Sequence, residues 1–237
     1  MKKIYIIFLM QLLIAGCTGN TSGAMKNDTV PEPDSYAEPL PVTAEVSVLD
    51  DERVMKAFYE IDLLVRNDDP ASMADFCTSA ALVRIISIDG ADTWNASLNR
   101  NGAAYTYGTL EVIEPLKGDL HAGQTCIFTR TGGLVTWEQY AAAQIPESIE
   151  KQERLMNENG TPIPEYVYEA AYNDILPEEG KTYLAYFQSN ESVPVTGALR
   201  MTGFAGGLRE YNENSGLLLN NFTGKWEPAG PVFDTFD

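Results

Sequence analysis

Runs of β-branched and aromatic residues, each cut off by glycine or proline, most restrict what this chain can fold into. Ala81-Leu-Val-Arg-Ile-Ile-Ser-Ile88 is the clearest, and Asp89-Gly90 ends it. A continuous apolar run of that length, bounded by turn residues, reads as a buried strand. Tyr105–Ile113 is a second strand, stopped by Pro115, which lacks an N–H for ladder pairing. Gln124–Arg130, Thr182–Phe187 and Ala198–Phe204 follow. Leu208–Asn212 and Leu217–Phe222 flank Glu213-Asn-Ser-Gly216, a hairpin signal. These strands have local connections and no regular alternation of strand and helix. The pattern predicts a mainly β fold, a small antiparallel OB-like barrel or a sandwich.

Helices are predicted before and between the strands. Val54, Phe58, Ile61 and Val65 recur at helical spacing, and Asp50, Asp51 and Glu52 precede them, which suits a helix N-terminus. Residues 70–78 add a short helix, and residues 91–104 read as a long turn. Thr136-Trp-Glu-Gln139 fits a capping box. The polar run beyond it should break at Pro146 and end at Gly160, and Glu165–Tyr172 should add further helical turns. Residues 134–177 are therefore expected to form a helical insertion between strands.

The amino terminus speaks to location. Lys2 and Lys3 precede an apolar run, Ile4–Ile14, too short to span a bilayer, which needs roughly 20 residues. It ends Leu13-Ile14-Ala15-Gly16-Cys17. This resembles a bacterial lipobox, whose cysteine receives diacylglycerol and becomes the first residue after cleavage. The resemblance implies a signal peptide over 1–16, lipidation at Cys17, and a membrane partner held through two acyl chains on the outer side of the cytoplasmic membrane. Residues 17–45 are rich in Thr, Ser, Gly, Asn and Pro, the composition of a flexible stalk. Residues 46–237 then suffice for one domain with its own core.

With 34 acidic against 16 basic residues, the chain carries −18, and losing Lys2 and Lys3 with the signal takes it to −20. Such a charge repels nucleic acid and anionic headgroups. Cys17 aside, Cys77 and Cys126 remain. Outside the cytoplasm they form either one disulfide, worth about 4 kcal/mol on the chain-entropy account, or two separate buried thiols.

Gly118-Asp-Leu-His-Ala-Gly-Gln-Thr125 differs by one residue from a phosphate-cradling loop. Gln124 stands where that loop needs Lys, and Thr125-Cys-Ile-Phe-Thr129 continues as a strand, whereas phosphate binding needs a helix N-terminus. The stretch is a turn, with Gly118 and Gly123 supplying positive φ. Leu116-Lys-Gly-Asp119, followed later by Gly180, Tyr183 and Leu184, resembles the turn and late strand of the netrin/TIMP-like superfamily and of bacterial lipoproteins sharing its pattern. The resemblance spans roughly 70–222 and implies an OB-type barrel with 134–177 inserted. TIMP-type inhibitors chelate zinc through an N-terminal cysteine beside the barrel. A lipidated Cys17 on a stalk departs from that arrangement, so protease inhibition is not carried over.

Catalytic groups are scarce. His121 is the single histidine, it lies in the turn, and no G-x-S-x-G accompanies it. Neither a cofactor nor a metal site is expected, and Asn212-x-Asn214-x-Gly216 lacks the order of a calcium loop. Trp137, Tyr166, Tyr168 and Tyr172 are aromatic candidates for a ligand face taking peptide or sugar; as core and rim residues they would only cover the barrel. The expected function is a non-enzymatic binding or envelope-assembly module with a protein or cell-wall ligand. The alternative is a cell-wall glycan or peptide hydrolase using carboxylates that no motif singles out.

Overall fold

The computed structural model describes residues 51–60, 65–188 and 193–236; the expected signal, Cys17 and the stalk lie outside them. In chain order the elements are β1 (Val54–Tyr59), α1 (Pro70–Phe76), β2 (Ser79–Asn95), β3 (Arg100–Lys117), β4 (Thr125–Thr131), β5 (Gly133–Thr136), α2 (Trp137–Ala143) and α3 (Pro146–Glu158). Then come β6 (Tyr166–Ala171), β7 (Thr182–Gln188), β8 (Leu199–Met201), β9 (Leu208–Asn212), β10 (Leu217–Asn220), β11 (Lys225–Pro228) and α4 (Gly230–Phe233).

Five strands close a ring. β2 pairs with β3, β3 with β4, β4 with β8, β8 with β7, and β7 returns to β2. This is the OB-like barrel that the strand pattern predicts, with one correction: β4 and β8 run parallel, Phe128 beside Leu199. Five register shifts interrupt the β2–β3 pairing. Each bulge bends the hairpin, and together they let its long arms coil around the barrel. Pro115 does not stop β3. It sits opposite Ala81 at one of these shifts, beyond the stretch of β3 that pairs with β4, so its missing N–H breaks no ladder bond there.

Alternation along the central strands builds two cores. Ala81, Val83 and Ile85 of β2 face inward with Tyr183, Ala185 and Phe187 of β7, packing with Leu110, Phe128 and Met201. Ala80, Leu82, Leu184 and Tyr186 face outward and are covered by Met73 and Cys77 around α1 and by Val232 of α4. Both strands are thus buried on both faces, which is why their sequence is apolar without a clean period of two. Each large side chain so buried contributes roughly 1.5–3 kcal/mol.

Residues 134–177 carry more than helix. Thr136 caps α2 by a reciprocal capping box with Gln139, Pro146 opens α3, and Gly160, at φ 65°, follows its last turn. The expected helix over Glu165–Tyr172 is instead β6, the middle of a three-stranded sheet, β1–β6–β5. The helix expected at Val54–Val65 is likewise overturned where it is described: Val54–Tyr59 form β1, paired in parallel with β6, while residues 61–64 lie outside the described set. Met55 and Ala57 pack on one side of β1 and Val54 on the other, while Lys56 and Phe58 on the Val54 side are exposed, so apolar positions at helical spacing served a half-covered strand. The long turn expected over 91–104 is mostly the end of the β2–β3 hairpin. β5, β11 and α4 had no counterpart in the sequence reading.

Gly108 is where the hairpin closes most tightly, since a Cβ there would stand 2.1 Å from the Ser87 carbonyl oxygen. Gly108→Ala must push backbone apart and should lower stability by about 3 kcal/mol. Urea denaturation of the two proteins, compared at equal m-value, measures that loss.

Candidate functional site

The near-P-loop is a turn. Val112 and Gln124 bond through their backbones, the Gly123 N–H donates to the Val112 carbonyl, and Gly118 and Gly123 adopt φ 82° and 78°. His121 is exposed on it. The Leu116-Lys-Gly-Asp119 motif has a structural task. Lys117 Nζ donates to the carbonyls of Ala74 at 2.5 Å and Cys77 at 2.9 Å, closing the end of α1. A Cβ on Gly118 would stand 2.4 Å from Ser79 Oγ, so only glycine lets this turn lie against the start of β2. The Asn212–Gly216 turn is equally local: Asn212 Oδ1 accepts the N–H groups of Asn214 and Ser215.

Cys77 and Cys126 are not paired, correcting the disulfide alternative. Cys77 belongs to the outer core and Cys126 borders the barrel interior, so a wall of sheet separates them. Burial, opposed by the Lys117 charge, pushes the Cys77 thiol up; burial also raises Cys126.

The four aromatic candidates are divided by β6. Val167 turns to one side, where Trp137 packs with Ala104 and Val135, its ring 5.8 Å from Tyr140 and its Nε1 donating to Glu153 at 3.3 Å. Tyr166 and Tyr168 turn to the other side with Leu134. Tyr168 is only 4% exposed, and burial pushes its hydroxyl up to about 12. Tyr172 is 49% exposed, and its ring lies 5.7 Å from Phe58 of β1. Phe58 in turn meets Tyr168 edge-on at 6.0 Å and is itself 36% exposed. The accessible aromatic surface is therefore Phe58 with Tyr172, backed by Tyr168. Phe58 carries no ligand signal in the sequence, because its spacing from Val54 and Ile61 also fits a helix.

Close to Tyr168 lies a buried ion pair. Arg130 of β4 and Asp174, just past β6, are each 2% exposed and form a two-pronged ion pair, Nη1 to Oδ2 at 2.7 Å and Nη2 to Oδ1. Burial opposes the Arg130 charge, but Asp174 outweighs it and the guanidinium pKa is raised. Burial, reinforced by the charges of Glu169 and Asp174, raises the Tyr59 hydroxyl, which has no partner among the described residues, as is also true of Arg130 Nε. Glu169 is buried too; burial raises its carboxyl, opposed by the Ala104 N–H that donates to it at 3.1 Å. Nothing in Gln124–Arg130 marked this arginine except a cation closing an otherwise uncharged strand.

Asp174 is held by Arg130 and the Ile175 N–H, and Glu169 accepts from the Ala104 N–H. A cleft between Asn67, Tyr186, Arg209, Asn221 and Phe222 has a volume of about 10 Å³, room for about one water. Among the described residues no cluster of three or more His, Cys, Asp or Glu is arranged to hold a metal ion, and no helix is long and apolar enough to cross a membrane. No protein-family model matches the chain, and neither do any curated proteins or solved structures.

Two measurements test this centre. Arg130→Met leaves Asp174 buried without its cation and should cost about 3–5 kcal/mol, whereas Arg130→Met with Asp174→Leu should regain most of it; urea midpoints of the four proteins of the cycle decide. Glu169, with its folded pKa above the unfolded one, binds a proton more tightly when folded. Stability should fall as pH rises from the ordinary carboxylate range through that raised value. Glu169→Gln should remove this slope, so its stability relative to the native protein should improve between mildly acid and neutral pH.

Proposed function

We propose that the chain is an extracytoplasmic lipoprotein, anchored through diacylglycerol on Cys17, whose OB-like barrel serves as a non-enzymatic binding or envelope-assembly module. The observation that carries this reading is the order at the amino terminus: Lys2-Lys3, the apolar run Ile4–Ile14, small Ala15 and Gly16, then Cys17. The following residues have stalk composition, and the strand order suits the netrin/TIMP-like resemblance of the Leu116–Asp119 turn. The ligand face is narrower than the sequence implied. It consists of Phe58 and Tyr172, two rigid rings that offer contact area at low entropic cost, suited to a peptide or glycan of the cell envelope.

Expression of the full chain in bacteria fed an alkyne-bearing fatty acid tests the anchor. The native protein should take up the label and fractionate with membranes. Cys17→Ala should lose the label entirely, and labelling that survives this change would overturn the reading.

A further inference from the structure

The far end of the β2–β3 hairpin carries two large apolar side chains in the open. Trp94 is 43% exposed and Leu98 46% exposed, and Arg100 beside them is exposed as well. The turn between them is firmly built. Tyr105 Oη donates to the Trp94 carbonyl at 2.8 Å, and the Leu98 N–H donates to Asn95 Oδ1 at 3.1 Å. Ser97 Oγ and the Ala96 N–H donate to the carbonyls of Val193 and Pro194, tying a second apolar segment to the tip.

Acidic residues are also sparse in the segments that build this end. No Asp or Glu occurs from 93 to 110, nor from 193 to 209, in a chain of net charge −18. Asp92, the last acid before the tip, is turned to local work: its Oδ1 accepts the N–H groups of Thr93 and Trp94 and an amide proton of Gln139. Of the elements packed on the hairpin end, α2 brings Glu138, beside the Gln139 carbonyl that accepts from Thr93.

We propose that the Trp94–Leu98 tip is a membrane-contact site that dips into the headgroup region of the bilayer to which the protein is tethered. The proposal rests on the anchored reading above. An anionic leaflet repels the acidic body, so the protein approaches it with an end where acid is sparse. Trp prefers the interface between headgroups and hydrocarbon, Leu gains by burial there, and a flanking Arg meets phosphate. A protein partner would need complementary shape, which two side chains on a narrow turn do not define; a bilayer needs none.

The chain has three tryptophans, Trp94, Trp137 and Trp226, so W137F/W226F leaves Trp94 as the sole reporter. The full lipidated chain is reconstituted in vesicles of phosphatidylethanolamine and phosphatidylglycerol, with or without lipids brominated near the headgroup. Trp94 emission should shift to the blue and be quenched several-fold more than Trp226 in W94F/W137F. Leu98→Asp should abolish the shift while flotation with vesicles persists. Trp94 that stays open to aqueous iodide on floating vesicles overturns the proposal. So does a blue shift that depends on protein concentration without lipid, which would assign the tip to a second copy. Loss of flotation signals failure of the anchor alone. The unlipidated chain with excess vesicles then decides, a blue shift supporting the tip and its absence overturning it. If W137F does not fold, the difference between native and W94F spectra gives the same readout.

Discussion

Strand β7 has one edge too few for its neighbours, and the rest of the domain follows from how that shortage is met. One edge goes to β2 along Ser79–Arg84. The other is divided: Tyr183–Ala185 pair with β9, while Phe187 and Gln188 pair with β8. The short β8 closes the barrel, and β9 leads β10 and β11 away from it. Thr182–Phe187 are all buried because one face lines the barrel and the other supports α1 and α4. A polar side chain anywhere in that run would disturb closure, inner core and outer core together.

The three-stranded sheet faces a different problem. Its strands come from distant parts of the chain, β1 from near the start and β5 and β6 from within the insertion. Apolar contact alone is non-directional. The Arg130–Asp174 pair adds direction, because a two-pronged guanidinium–carboxylate contact tolerates little sliding. Its net worth against a well-packed apolar pair is small or negative, whereas removing one partner alone leaves a buried charge uncompensated. Glu169 on the Ala104 N–H repeats the device nearby.

The central barrel strands β2 and β7 were legible in the sequence because both of their faces are buried, but their ends were not, since β2 runs on past Gly90 and β3 past Pro115. The capping box at Thr136 and the hairpin at Glu213–Gly216 were legible because their chemistry is local. β1 and β6 were not. Val54 and Phe58 stand four apart, so one pattern fits a helical face and also alternate positions of a strand, and only β6 as a partner decides between them. Tyr166, Tyr168 and Tyr172 were picked as a cluster by proximity in sequence, but alternation sends Val167 and Tyr168 to opposite sides and puts Trp137 with Val167. The ion pair joins residues 44 apart, and no local rule reaches that far.

A motif can report fold without reporting function, and Leu116-Lys-Gly-Asp119 does so. Lys117 spends its charge on the end of α1, and Gly118 is required by the approach of Ser79. Any chain that sets a short helix against this hairpin meets the same two needs, whatever it binds. What is particular to this chain therefore lies where the fold makes no demand. Phe58 with Tyr172, and Trp94 with Leu98, are such places: large apolar side chains left in the open on an acidic domain whose interior already has enough of them. Packing inside the domain uses only part of that surface, and on the readings proposed above the remainder meets an envelope ligand and the bilayer.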